Sequence, residues 1–243
     1  MVLRLLLILL LLPSLAQAAT FYVSGGGHSD TPNDVYSCGT AQNILTPKQT
    51  VASGLTCLST GGDILYIRGG LYQEVIAEFP AIAGQSWGNP ILVSAYQNEV
   101  ATLRGTGGDH TLGLSGATYV IVDKLHVTTV AGMTYAMVSG TGRMRFQNGE
   151  ITMAPASCLP DFTQSPGYAV FNNPGATDIQ FLNNDVHDAP CGYGFYVASP
   201  NILLDGNRIY NNPGYGIQIY NGNTQCCLDN IIVRNNVIYN NGF

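Results

Sequence analysis

Five segments of this chain repeat one pattern, and no other feature of the sequence restricts its fold as strongly. Each alternates apolar and polar residues: VIVDKLHV (120–127), MRFQNGEI (144–151), IQFLNNDV (179–186), ILLDGNRI (202–209) and IIVRNNVI (231–238). A second, Tyr-centred pattern falls between them: MTYAMVSG (133–140), PGYAVFNN (166–173), CGYGFYVA (191–198) and PGYGIQIY (213–220). Alternation bounded by Asn, Gly and Pro is typical of short strands and turns. A unit of roughly 22–25 residues is too short for a propeller blade, so we predict a solenoid whose strands stack in parallel.

The repeat also assigns equivalent residues to columns that run from coil to coil. One column is predicted to point inward: Val127, Ile151, Val186, Ile209 and Ile238. Two residues earlier in each segment stand Leu125, Gly149, Asn184, Asn207 and Asn236. We expect the three asparagines to stack as a ladder inside a turn, each amide bonding to the next.

Composition excludes several classes of protein. Only 10% of the 243 residues are charged, whereas coiled coils and long helices need abundant Glu, Lys and Arg. The hydrophobic fraction of 46% is too high for a disordered chain. The net charge is −6 and no basic run is present, so we expect no nucleic-acid partner.

Residues 1–18 have the organisation of a secretory signal peptide. Arg4 precedes an apolar run over residues 5–12, and Pro13 and a small-residue cleavage site follow. This run is shorter than the ~20 residues that a membrane span needs. We therefore predict a secreted protein, extracellular or periplasmic, cleaved before Ala19. The rest, 19–243, is predicted to be one domain, with an N-terminal cap over about 19–60 and coils over about 61–243.

The chain has an even set of cysteines, which in an oxidising compartment predicts disulfides. Their spacing is not that of a zinc site. The six are Cys38, Cys57, Cys158, Cys191, Cys226 and Cys227. Six cysteines allow fifteen pairings, and spacing alone does not select one.

The N-terminal half contributes a resemblance, carried by FYVSGGG (21–27), TPKQTVASGLTCL (46–58), GGDILYIRGGLYQEVI (61–76) and PILVSAYQNEVATLRG (90–105). With the repeats, these segments make the chain resemble the right-handed parallel β-helix proteins of the pectate-lyase-like superfamily. The resemblance implies an all-β fold, a right-handed parallel β-helix of about seven coils with a short N-terminal capping helix. We expect Thr46 to be the N-cap of this helix and Pro47 its first residue, with a Cys38–Cys57 disulfide pinning the preceding loop. Because Phe243 ends in mid-coil, the C-terminal end is expected to be incomplete.

Two outward columns flank the inward one. The residue before it is His126, Glu150, Asp185, Arg208 or Val237, and the residue after it is Thr128, Thr152, His187, Tyr210 or Tyr239. Adjacent coils are about 4.8 Å apart. Five chemically active side chains are therefore predicted to cluster on one face: Glu150, Asp185, His187, Arg208 and Tyr210.

The resemblance also suggests roles for this cluster. Such lyases abstract the proton beside a uronic-acid carboxylate while Ca²⁺ neutralises that carboxylate. Glu150 and Asp185 would be ligands of Ca²⁺, and Arg208 would pair with the carboxylate or act as the base. His187 would be a base or acid, with Tyr210 and Tyr239 stacking on sugar rings. The alternative is that Asp185 and Arg208 form only a surface salt bridge.

Two further features are weaker candidates. Lys124 with Arg143 or Arg145 resembles the Lys–Arg pair of some alginate and glycosaminoglycan lyases, although ordinary solubilising charges explain these residues equally. An insertion over 154–165 is predicted to form one wall of a groove, held by a Cys158–Cys191 disulfide. Cys226 and Cys227 would bridge each other or join this cluster.

Two classes of function are consistent with these features. The first is an enzyme, an eliminating lyase on uronic-acid glycans, with a glycoside hydrolase or uronan epimerase less favoured. The second is a non-catalytic glycan-binding or adhesin-type solenoid. Both imply an acidic polysaccharide as partner, and we expect a monomer with Ca²⁺ as the one cofactor to test. Fold alone does not separate the two classes.

Overall fold

A computed structural model of the protein describes residues 17–76, 82–114, 116–131, 133, 135–139, 142–154, 168–172, 176–190, 192–220 and 228–242. Outside these residues lie Cys158, Cys191, Cys226 and Cys227, nearly all of the predicted signal peptide, and all but residue 154 of the predicted loop. The predictions made for those parts stay predictions. Within the described residues, no helix is both long and apolar enough to span a membrane.

The described strands form three sheets in which every strand pair is parallel. The first sheet has eight strands: Thr20–Val23, Ile64–Ile67, Ile91–Ala95, Val120–Asp123, Met144–Gln147, Ile179–Leu182, Ile202–Asp205 and Ile231–Arg234. The second has seven: Gly70–Gln73, Ala101–Arg104, Leu125–Thr128, Glu150–Thr152, Asp185–His187, Arg208–Tyr210 and Val237–Tyr239. The third has five: Leu112–Gly113, Tyr135–Val138, Tyr168–Asn172, Tyr193–Val197 and Ile217–Ile219. Each coil passes through the sheets in this order, which confirms the predicted all-β parallel β-helix. Of the eight strands in the first sheet, seven follow residue 61.

The core is formed by the inward columns of the coils. Ile151 is in register with Val127 before it and Val186 after it, and Ile209 follows on the next coil. These four side chains are at most 1% exposed. One coil cannot bury its own apolar side, so the stack of coils supplies the core. The predicted column is confirmed for these four residues; Ile238 continues the register beside Ile209 but is 49% exposed, so its predicted inward burial is wrong.

The predicted asparagine ladder is present at the corner between the first and second sheets. The backbone N–H and side-chain amide of Asn184 donate to Oδ1 of Asn207 at 3.0 and 3.1 Å, and Asn207 donates to Asn236 in the same way at 2.8 and 2.9 Å. One coil earlier the position is Gly149, where a Cβ atom would lie 2.5 Å from the carbonyl oxygen of Leu125. The ladder ends there because no side chain fits. A second ladder, from Asn212 to Asn241, was not predicted.

The N-terminal helix starts later than predicted. It spans Val51–Leu55, and its N-cap is Thr50, whose side chain accepts a hydrogen bond from the backbone N–H of Ser53. The predicted Thr46 cap and Pro47 start are wrong because Lys48 exchanges backbone hydrogen bonds with the first strand, at Tyr22 and Ser24. This pairing holds the segment extended until Thr50. A short 3₁₀ helix, Thr40–Gln42, was also missed.

The predicted Cys38–Cys57 disulfide is confirmed. Cys57 lies two residues after the helix, and Cys38 lies in the loop that leads to it. The bridge therefore ties the loop to the cap, as expected.

Candidate functional site

The outward side of the second sheet holds the two predicted columns in register. They are His126, Glu150, Asp185 and Arg208 in one column and Thr152, His187, Tyr210 and Tyr239 in the other. We call this surface, formed by these eight residues, the second-sheet face. Parallel pairing places each residue beside its equivalent on the next coil. The structure thus brings the predicted cluster together, and the contacts within it determine what each member is able to do.

Glu150 lies within ion-pair distance of histidines on both neighbouring coils, and it is hydrogen-bonded to His187. Its Oε2 lies 2.9 Å from Nδ1 of His126, and its Oε1 lies 3.1 Å from Nε2 of His187. The other ring nitrogen of His187, Nδ1, lies 2.7 Å from Oδ2 of Asp188. The side chains of His126 and Glu150 are about one-third exposed, whereas that of His187 is 12% exposed. A histidine–carboxylate–histidine array therefore runs across three coils.

These contacts assign protons to the two imidazole rings. An ionised carboxylate only accepts hydrogen bonds, so the proximity of Glu150 Oε2 favours a proton on Nδ1 of His126, and in the neutral form of that tautomer Nε2 holds the lone pair. That Nε2 atom has no hydrogen bond to a described residue. In His187 both nitrogens lie within hydrogen-bond distance of carboxylate oxygens, so neither nitrogen is left without a protein partner. The arrangement favours His126 over the predicted His187 as a base.

Arg208 forms a salt bridge with Asp185, the alternative that the sequence analysis gave to a functional role. Its Nη1 is 3.1 Å from Oδ2 of Asp185, and the two side chains are 54% and 37% exposed. A hydrogen bond to Tyr239, followed by the charge of Asp185, raises the pKa of Arg208 above its ordinary value. A higher pKa makes loss of the proton harder, so the geometry favours Arg208 as a cation and hydrogen-bond donor rather than a base.

The aromatic residues of the second-sheet face stack on one another. The rings of His187 and Tyr210 are 4.5 Å apart and 10° from parallel, and those of Tyr210 and Tyr239 are 5.0 Å apart and 5° from parallel. Both faces of the Tyr210 ring are therefore covered. Burial, and then the charge of Asp185, raises the pKa of Tyr210 above its ordinary value, so its hydroxyl stays a hydrogen-bond donor. Tyr210 has no free ring face, so this arrangement does not allow its predicted stacking on a sugar ring.

Sequence reasoning overlooked two residues of this site. His126 was placed in the correct column but given no role, and Arg104 was not considered. Arg104 lies on the coil before His126. It is in register with Thr128, and Thr102, two positions earlier, is in register with His126. The long side chain of Arg104 is therefore within reach of His126. Its Nη2 donates to Gln73 at 3.0 Å, and its buried Nε has no partner among the described residues. Extending the outward columns by one coil toward the N-terminus would have identified Arg104.

The second candidate set is separated by the fold. Lys124 occupies a left-handed corner between the first and second sheets, with φ of 59°. Arg143 and Arg145 lie instead over the rings of Tyr119 and Trp87. No hydrogen bond joins Lys124 to either arginine in the described structure, and its catalytic role stays a prediction that no contact supports.

The predicted Ca²⁺ ligands already have protein partners. Both oxygens of Glu150 face histidine nitrogens, and Asp185 faces Arg208. No group of three or more His, Cys, Asp or Glu suited to a metal ion occurs among the described residues, whereas Ca²⁺ takes six to eight oxygen ligands. As they stand these residues do not fit a Ca²⁺ site, and no step is derived through the ion.

Comparisons with known proteins agree with this architecture. A family model described as "Right handed beta helix region" matches residues 106–243, more than half of the chain. Among solved structures, a pectate lyase, Pel9A, superposes with a TM-score of 0.68 at 16% sequence identity. The match covers 95% of this chain and 56% of that one, so the chain spans little more than half the length of the lyase. At this identity the likeness shows the fold alone. No curated protein sequence matches the chain significantly.

Proposed function

The chain belongs to the family of proteins with a right-handed β-helix region, and we propose that it binds an acidic polysaccharide along the second-sheet face and cleaves it by β-elimination. The observation that carries this proposal is the dyad of His126 and Glu150. A carboxylate that holds an imidazole by Nδ1–H leaves Nε2 free as a base, which is how histidine bases are oriented in many enzymes. The dyad lies on an exposed surface of stacked coils, where an extended chain has room to bind.

A cation on the coil before His126 suits a uronic-acid substrate. Arg104 forms no ion pair with a described residue and lies on the coil before His126. A guanidinium group forms paired hydrogen bonds with a carboxylate. Neutralising the substrate carboxylate in this way makes the hydrogen on the adjacent carbon more acidic. Arg104 therefore supports a uronic-acid substrate, and His126 supports the elimination reaction.

The proposed reaction is an elimination. Nε2 of His126 takes the proton from the carbon next to the carboxylate. The released electron pair forms a double bond to the neighbouring ring carbon, whose bond to the glycosidic oxygen breaks. That oxygen takes a proton from water and leaves as a hydroxyl group. Glu150 stabilises the imidazolium that forms, because its carboxylate lies 2.9 Å from Nδ1 of that ring.

The C-terminal half of the second-sheet face would extend the binding surface. Arg208 is exposed, and the Tyr210 and Tyr239 edges present donors and acceptors in a row. A second candidate is a glycan-binding solenoid without catalysis, and the pairing of the charged side chains favours it. In that half of the face the charged side chains are already engaged with one another, as Arg208 is with Asp185 and His187 with Asp188.

An assay of the whole chain with polygalacturonate, alginate and the neutral glucan dextran tests the proposal. We expect absorbance of the unsaturated product to rise with a polyuronate and not with dextran. Measurements with added Ca²⁺ and with chelator should agree, since the carboxylates have protein partners. Binding without product would favour the second candidate over the lyase. Absence of both binding and product with each polyuronate would contradict both candidates.

Secretion is a further part of this proposal. It is supported by the signal-peptide pattern of residues 1–18 and by the Cys38–Cys57 disulfide, a bond typical of oxidising compartments. Expressed with its own N-terminus, the exported protein should begin at Ala19. N-terminal sequencing checks this, and an intact Met1 on the exported protein would contradict it.

A further inference from the structure

A compact group of arginine and aromatic side chains lies on the first sheet, around the corner from the second-sheet face. The guanidinium of Arg145 lies 4.8 Å from the ring centre of Trp87, and that of Arg143 lies 5.4 Å from the ring centre of Tyr119. The two rings meet edge to face, with centres 5.6 Å apart. We call these four residues the arginine–aromatic patch.

The members of the patch lie at the start of first-sheet strands and in the connection before one of them. Trp87 lies in the connection before the strand Ile91–Ala95, and Tyr119 lies one residue before the strand Val120–Asp123. Met144 is in register with Val120, so Arg143 lies beside Tyr119 on the next coil. The patch therefore spans neighbouring coils, which is the direction an extended ligand would follow.

The two arginines are cations without acidic partners. Neither forms an ion pair with any residue in the described part of the chain, and Asp178, one coil further along from Arg143, is beyond ion-pair distance. The one side-chain hydrogen bond of Arg145 is from Nε to Oε1 of Gln180 at 2.9 Å, which leaves both terminal nitrogens free to donate. In a chain of net charge −6, two neighbouring unpaired arginines are a local exception.

The backbone at Arg143 has a conformation that arginine rarely adopts. Its φ is 42°, in the left-handed region, and the equivalent corner residues on the following coils are Asp178, Asn201 and Asn230. Asp and Asn tolerate this conformation much better than a long side chain does. Uncommon backbone conformations tend to persist where function requires the side chain.

We propose that the arginine–aromatic patch is a second binding site, for a carboxylate-bearing saccharide. The free guanidinium nitrogens of Arg145 match the two oxygens of a carboxylate, and the stack on Trp87 holds the fork in place. The anion follows from the patch itself, while its assignment to a saccharide rests on the proposed function. Because this site is on a different sheet from His126, it positions the polysaccharide at a distance from the chemistry.

The sequence supplies a direct reporter for this site, because Trp87 is the only tryptophan in the chain. We expect trigalacturonate to change selectively excited tryptophan fluorescence in a saturable way, and the neutral trisaccharide maltotriose to leave it unchanged. Loss of a charge-assisted, two-point hydrogen bond costs about one factor of ten in affinity or more. Arg145→Gln should therefore weaken trigalacturonate binding by about tenfold or more, and Arg143→Gln should weaken it in the same direction.

The matched control is Arg234→Gln, which removes the same charge from the same sheet. Arg234 is already paired with Asp205 at 2.8 Å, so affinity should stay within about twofold of the unmodified chain. Unliganded emission spectra and circular dichroism establish that each variant is folded. His126→Gln should keep the fluorescence response, which separates this site from the proposed lyase site.

Three results would overturn the proposal. The first is no fluorescence change with trigalacturonate, and the second is an equal loss of affinity in Arg234→Gln. The third is an equally strong response to hexaglutamate, because the patch would then bind any carboxylate and not a saccharide. A fluorescence response without product formation would leave this site standing while contradicting the elimination reaction.

Discussion

Replacing His126 with glutamine should lower the rate of product formation from polyuronate by at least about 100-fold, the usual scale of general acid–base catalysis. Glutamine keeps a hydrogen bond to Glu150 but has no basic nitrogen to accept the substrate proton. The carboxylate of Glu150 stays in place, 3.1 Å from His187, so the rest of the array is preserved. Initial rates of absorbance increase, with binding measured in parallel, give the effect on kcat separately from that on affinity.

The matched control is His28→Gln, which removes a histidine far from the second-sheet face. His28 lies between the carbonyl oxygen of Gly69 and the guanidinium of Arg68, at the N-terminal end of the solenoid. This variant should keep the rate of product formation within about twofold. If His126→Gln retained the activity of the unmodified chain, His126 would not be the base, and the dyad with Glu150 would be structural.

Replacing Asn207 with alanine should lower the free energy of unfolding by roughly 2–5 kcal/mol, since two buried backbone groups lose their partners at about 1–3 kcal/mol each. Asn207 is fully buried. Its Oδ1 accepts from the backbone N–H of Asn184 at 3.0 Å, and its Nδ2 donates to the carbonyl oxygen of Phe181 at 2.9 Å. Alanine supplies neither bond. Equilibrium urea denaturation followed by circular dichroism measures the change.

The control for this substitution is Asn98→Ala. Asn98 is exposed in a turn and makes no side-chain hydrogen bond to a described residue. Its replacement should alter the free energy of unfolding by no more than about 0.5 kcal/mol. If Asn207→Ala also changed the free energy of unfolding by no more than about 0.5 kcal/mol, the ladder would define the conformation of the turn but add little stability.

Much of the fold follows from local pattern because a solenoid repeats its pairing. When each coil stacks on the one before, equivalent residues must share a column, and so the register of Val127, Ile151 and Val186 was predictable from spacing alone. The same logic placed Glu150 beside Asp185. It failed at the N-terminal helix, where Thr46 and Pro47 carry a valid local start signal. Backbone bonds from the first strand to Lys48 overrode it, and such non-local bonds leave no mark in the sequence.

The candidate site was predictable as a set of neighbours and not as a set of contacts. Spacing put His126, Glu150 and His187 on one face, but it did not show that one carboxylate serves both histidines. That choice depends on side-chain rotamers, and it determines which imidazole keeps a free nitrogen. The position of Trp87 could not be predicted from spacing, since this residue lies in an irregular connection outside the repeat.

The sequence by itself therefore determined the solenoid, its register, the asparagine ladder and the identity of the residues on each face, because all of these depend on periodicity. Only the tertiary structure decided which side chains pair. It joined Arg208 to Asp185, covered both faces of Tyr210, and brought Arg145 over Trp87. The physical reason is that backbone pairing in a parallel stack repeats at one spacing, whereas each side-chain contact depends on local rotamers and on loops that do not repeat.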